Sequence, residues 1–180
     1  MTTGEITLYI ATSVDGFIAA EDGSVAWLEE FQPEAGTDDR DGSYETFFAD
    51  IDALVMGATT YEQVRAFGDW PYEERPTYVL THGEHPRATD AVEFVDGEVA
   101  ALATELERRH DRIWLVGGAQ VVRAFLREDR VDELRLTLVP VLLGRGISLF
   151  GTDGKQRTLE LLENTTRETG MVELRYAVSG

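Results

Sequence analysis

Two stretches of the chain share a grammar suited to phosphate. Leu54-Val55-Met56-Gly57-Ala58-Thr59-Thr60-Tyr61-Glu62 and Ile113-Trp114-Leu115-Val116-Gly117-Gly118-Ala119-Gln120-Val121 each pass from a short apolar run, through small residues, into a helix-forming segment. The start of a helix leaves backbone N–H groups unpaired and carries the positive end of the dipole, so it attracts an anion. Glycine lets a ligand approach the main chain closely, and a threonine hydroxyl adds a donor. Either motif taken singly is equally well a tight turn. The Rossmann fingerprint of spaced glycines and the lysine-containing P-loop are both absent. Together the two turns read as a dinucleotide site of another kind.

Other chemistries are poorly served. The chain has no cysteine, which removes disulfides and thiolate metal sites. His82 and His85 invite a metal reading, but Gly83 and Pro86 disfavour a helix there and no acidic partner has ligand spacing, so no metal is expected. His110 ends a helical stretch, where its cationic form suits the dipole. Thirty-four acidic residues face sixteen basic ones, a formal net charge of -18, and Lys155 is the sole lysine. Such a surface repels itself at low salt and is screened at high salt. It points to a halophilic host with a salt-rich cytoplasm, or simply to an acidic protein. Nucleic acid is excluded as a partner for want of a basic patch. The first residues lack a signal-peptide pattern and no apolar run approaches a membrane span, so a cytoplasmic protein is expected.

The elements that must position the two turns follow from pattern. Glu5 to Thr12 reads as an opening strand, and Ser13 to Ser24, with Asp15-Gly16 and Asp22-Gly23, as a turn-rich loop. Ser43 caps a short helix to Asp50 that carries Tyr44, Phe47, Phe48 and Ile51 on one side. The run Ala53–Met56 is continuous and apolar, as buried parallel strands are, with a helix from about Thr60 to Phe67 after it. Strands are expected at 77–81 and 91–95, a helix at 98–110, a strand at 112–116 and a helix at 119–127. Beyond Asp132 strands dominate: 133–140, then 157–166 paired with 171–179 around Gly170. The length and the lack of a linker fit one domain over residues 1–180. Its fold class is α/β, with a mostly parallel central sheet, antiparallel C-terminal strands and helices on both faces.

With the order in place, the chain resembles the dihydrofolate-reductase-like superfamily, in the branch of the riboflavin-biosynthesis reductase. The carriers are Ala11-Thr-Ser-Val-Asp-Gly-Phe-Ile-Ala19, Val55-Met-Gly-Ala-Thr-Thr-Tyr-Glu62, Leu115-Val-Gly-Gly-Ala-Gln120 and the long block Val131 to Phe150. The resemblance implies a three-layer dihydrofolate-reductase-like fold and a reductase using NADPH, with NADH possible. It implies that Val116, Gly117 and Gly118 approach the pyrophosphate and that Ala119, Gln120 and Val121 begin the helix capping it. Gly57, Thr59 and Thr60 would face the cofactor from the other side. Ala11 and Ile18 would bracket the nicotinamide, and Thr81 and His82 would lie beside the adenosine ribose. The family's arginine directly after Met-Gly, which pairs with the 2′-phosphate, is here Ala58.

The resemblance also locates the chemistry. Hydride transfer needs orientation, desolvation and a proton rather than a nucleophile. Asp41, Tyr44 and Glu45, beside or within the helix bordering the substrate, are candidate proton donors or ring partners. Asp15 is a further candidate, although Asp-Gly commonly shapes a turn. Trp27, Phe48 and Trp70 are candidates for stacking on a flat substrate, against the commoner use of aromatic residues as core. The substrate would be a small pterin- or aminopyrimidine-like heterocycle. No deaminase zinc motif accompanies the reductase pattern. The alternative is a cofactor-binding sensor, or a catalytically lapsed module, on the same fold. A homodimer is expected for such a family.

Overall fold

A computed structural model of the protein describes residues 3–31 and 43–179. The strands are β1 (Glu5–Ser13), β2 (Phe17–Ala19), β3 (Ala53–Gly57), β4 (Thr77–Leu80), β5 (Val92–Val95), β6 (Arg112–Gly117), β7 (Glu133–Val139), β8 (Ile147–Ser148), β9 (Leu159–Thr166) and β10 (Val172–Val178). The helices are α1 (Ser43–Ala49), α2 (Ala58–Ala66), α3 (Val99–Arg109) and α4 (Ala119–Arg127), with a 3₁₀ turn at Ala26–Phe31.

Eight strands form one sheet in the order β5-β4-β3-β6-β1-β7-β10-β9. The first six are mutually parallel, and β10 runs antiparallel to both β7 and β9. A strand buried on both faces has no reason to alternate in polarity, and β3 is buried at every position. Its side chains still sort by parity. Ala53 and Val55 join Ile113, Leu115, Leu106, Val122 and Phe125 on the α3–α4 side. Leu54 and Met56 join Trp114, Tyr61, Tyr72 and Val79 on the other, where Phe47 and Phe48 of α1 also pack. The three layers and the antiparallel C-terminal edge agree with the sequence reading.

Two local features differ from it. Helix α2 begins at Ala58, two residues earlier than expected, because Gly57 itself serves as the N-cap. The 13–24 loop contains β2, which pairs with β8 as a small second sheet. Neither short strand was expected, since their pairing joins residues far apart in sequence. Gly146 makes that approach possible: its φ is +148°, and a Cβ there would collide with the Ala19 carbonyl oxygen.

Candidate functional site

Parallel strands end on a common edge, and ligands of open α/β sheets lie beyond it. Here that edge carries a cleft of about 590 Å³, walled by the segments following β3, β4, β5 and β6 and closed on one side by β2 and β8. Gly57, Thr59 and Thr60 line it from the β3–α2 turn, and Gly118, Ala119, Gln120 and Val121 from the β6–α4 turn. Ile18, Thr81 and His82 also reach it. Ala11, Val116 and Gly117 are not on its wall. Val116 is buried beneath it, and Gly117 is joined to Gly118 by a cis peptide.

The two turns meet. A Cβ built on Gly118 would lie 3.2 Å from Thr60 Oγ1, and one on Gly57 would lie 3.0 Å from Val121 Cγ2. Both glycines are helix N-caps, and neither α2 nor α4 has a side chain capping its first turn. The unpaired N–H groups of two helices, with the Thr60 hydroxyl between them, therefore address one space. Such a cradle, where a side chain on Gly118 would press on Thr60, has the donors a pyrophosphate needs.

The two ends of the cleft differ in chemistry. At the β1 end, Ile18, Ala19 and Ile147 present apolar surface. Gln63 Nε2 donates to the Gly23 carbonyl at 2.8 Å, tying the loop to α2. At the β5 end, His82 Nδ1 lies 2.7 Å from Asp96 Oδ1, and Gly97 completes the rim. Arg127 is the one arginine on the wall among the described residues, and it pairs with Asp153 at 3.8 Å.

The candidate acids fare differently. Asp15 accepts hydrogen bonds from Ser13 Oγ and from the Leu143 and Gly144 N–H groups, the last two at 3.1 and 2.8 Å. The Ser13 hydroxyl and these amides hold its carboxyl below the usual range. Asp15 is thus engaged as an acceptor that joins the 13–24 loop to the segment before β8. Asp41 lies outside the described residues. Glu45 is exposed on α1. Tyr44 stacks parallel to Phe48 at 5.9 Å, and burial raises its phenol, so it stays protonated at neutral pH.

Two of the aromatic candidates, Phe48 and Trp70, sit on the α1 face of the sheet. Phe48 packs under the Arg75 guanidinium, whose carbon is 3.7 Å from the ring centroid. Trp70 packs edge-on against Tyr61 and Tyr72 at 5.4 and 5.1 Å. The indole nitrogens of Trp27 and Trp70 are buried without a partner among the described residues. None of the three lines the cleft.

Sequence reasoning missed Asp96, Gly97, Gln63, Ala124, Arg127 and Ile147 on the wall. Only Asp96-Gly97, an Asp-Gly pair closing a strand, carried a local signal. It also missed a buried charge network beneath α1. Glu173, 4% exposed, meets Arg135 Nε at 2.7 Å and Arg167 Nη2 at 3.1 Å, and accepts from the Tyr9 hydroxyl at 3.2 Å. Burial, and then the Glu173 charge, push the Tyr9 phenol up to about 12. Among the described residues no group of three or more His, Asp or Glu is placed to hold a metal. No helix there is long and apolar enough to cross a membrane.

Sheet order, the C-terminal antiparallel strands and the layered helices define the dihydrofolate-reductase-like α/β class. Dihydrofolate reductase from Enterococcus faecalis, in complex with NADP(H) and RAB-propyl, superposes with a TM-score of 0.62 at 16% identity, over 99% of each chain. The chain belongs to the RibD C-terminal domain family, whose model matches residues 5–172. A structure from Shewanella sp. PV-4, described as a riboflavin biosynthesis protein, matches over the whole of both chains with a TM-score of 0.84 and 27% identity. YwjB of Bacillus subtilis strain 168, itself uncharacterized, is 37% identical over 172 residues, covering 94% of this chain and 95% of its own.

Proposed function

We propose that the protein is a reductase that binds a nicotinamide dinucleotide across the carboxyl ends of β5 to β1 and reduces a small heterocycle. The observation that carries this reading is the pair of uncapped helix starts, α2 and α4, converging with Thr60 on one cradle. Gly57, Thr59, Thr60 and the Gly118–Val121 turn would hold the pyrophosphate. Thr81 and His82 would flank the adenosine ribose, and Ile18 the nicotinamide. When bound, the dinucleotide supplies the hydride. The chain's part is to orient, to exclude water through the 13–24 loop, and to supply a proton or hydrogen bond at the ring.

A flat pterin- or aminopyrimidine-like substrate suits the aromatic side of α1, where Tyr44 offers a protonated phenol on a partly exposed side chain. Asp41 and Glu45 are the carboxyl candidates for protonation. The test is loss of dihydronicotinamide absorbance with pterins, ribosylated aminopyrimidine phosphates and quinones as acceptors. Turnover of a heterocycle is the expected result. Tight dinucleotide binding with no turnover of any acceptor would make the protein a sensor instead.

A homodimer is part of the same reading. It is supported by β9, an edge strand whose Leu159, Leu161 and Leu162 are exposed. An apolar edge left open invites pairing with another chain. Light scattering at high salt should give twice the chain mass; a monomer at all concentrations would refute it.

A further inference from the structure

We infer that the cleft selects NADH over NADPH, with Asp96 as the specificity-determining residue. The inference rests on the dinucleotide reading above and concerns one end of that site. The ends of β5, β4, β3, β6 and β1 form a row roughly 19 Å long, at about 4.8 Å per strand. The pyrophosphate cradle lies in its middle, between β3 and β6. One half of a bound dinucleotide must therefore lie toward β1 and the other toward β5.

Water exclusion decides which half goes where. Hydride transfer needs a dry site, and the β1 end offers the broader apolar cover, from Ile18, Ala19 and Ile147, against Leu80 alone at the end of β4. The β5 end is open: the side chains of His82 and Asp96 are 92% and 66% exposed. The adenosine thus belongs at the β5 end, where its ribose meets the rim formed by His82, Asp96 and Gly97.

That rim is wrong for a 2′-phosphate. A carboxylate beside the ribose accepts a hydrogen bond from a free 2′-hydroxyl and repels a phosphate there, whereas an arginine favours the phosphate. Asp96 is held on the cleft wall by His82, 2.7 Å away. Ala58 opens the facing helix with a methyl group. Among the described residues Asp96 pairs with His82 and with no arginine. Arg127 lies about 12 Å along α4 from Ala119, at 1.5 Å per residue, and faces Asp153. Arg65 is turned to Glu62 at 2.8 Å.

The experiment is a titration of the intact protein with NADH and with NADPH, read by energy transfer from tryptophan to the dihydronicotinamide, in low and in molar salt. The expected result is NADH binding at least tenfold tighter in low salt. The preference should narrow in molar salt, because screening weakens repulsion between exposed charges. Asp96→Asn should reduce it several-fold, and Ala58→Arg with Asp96→Asn should reverse it. NADPH binding as tightly as NADH, or tighter, overturns the inference and leaves the reductase reading intact. A preference that neither salt nor Asp96→Asn changes overturns the role of Asp96. Failure of both dinucleotides to bind removes the dinucleotide reading itself.

Discussion

The two glycine turns that open α2 and α4 look alike in sequence and are held in place by different means. Helix α4 is docked by volume: Ala119, Val121, Val122 and Phe125 are buried, all but Ala119 in the α3–α4 core. Helix α2 buries one residue, Tyr61. The Tyr61 hydroxyl donates to the Pro86 carbonyl at 2.7 Å and accepts from the Ala88 N–H at 2.9 Å. One side of the cradle is therefore a rigid wall of the core. The other is a helix held mainly by polar ties, from Tyr61 and Glu62 to the loop before β5 and from Gln63 to Gly23, so the same small-residue turn is anchored by packing on one side and by hydrogen bonds on the other.

The largest effect should come from the packed side. Phe125→Ala leaves a cavity beneath α4 and should cost about 3–5 kcal/mol of stability, measured by urea unfolding. A loss no larger than that of an α2 variant would erase the distinction. Next is Tyr61→Phe, which keeps the ring and strands two polar groups, for about 1–3 kcal/mol. Hydrogen exchange should rise in 58–66 and 86–88 and stay unchanged in 119–127.

Gly118→Ala tests the cradle without loading either support. Its backbone, at φ -86°, accepts a side chain, but the methyl group would sit against Thr60 Oγ1. Dinucleotide binding should weaken by tenfold or more, roughly 1.4 kcal/mol, with the unfolding midpoint nearly unmoved. Equal binding by the variant would place the phosphates elsewhere.

The smallest effect concerns the loop that closes the β1 end. The Asp15 carboxyl titrates lower in the fold than its unfolded value of about 3.9. A depressed folded value means its stabilisation is complete above about pH 4 and is lost as pH falls through that folded value. The gap in urea midpoint between the wild type and Asp15→Asn should be constant near neutrality and close in acid. A gap persisting in acid would show that the charge is not what holds residues 143 and 144.

How much of this was legible depended on how local the cause was. Helix α4 was placed at 119–127, since its apolar spacing and the preceding glycines are signals within one segment. The β3 and β6 strands were equally plain, as continuous apolar runs. The β2–β8 pairing was not, because neither short strand has a pattern of its own. Phe48 and Trp70 could be named as aromatic residues, but nothing local showed that they pack around Arg75, Tyr61 and Tyr72 away from the cleft wall. Asp15 was recognisable as a turn former, while its partners at 143 and 144 lie more than a hundred residues away.

By itself the sequence determined the element order, the two strand–glycine–helix turns and the absence of an arginine at position 58, because each is written in consecutive residues. Only the tertiary structure brought Thr60 against Gly118 and placed Asp96 with His82 on the cleft wall. Those relations depend on strand order: β3 beside β6 and β5 beside β4 are set by the burial of apolar faces across the whole sheet, which no single segment encodes.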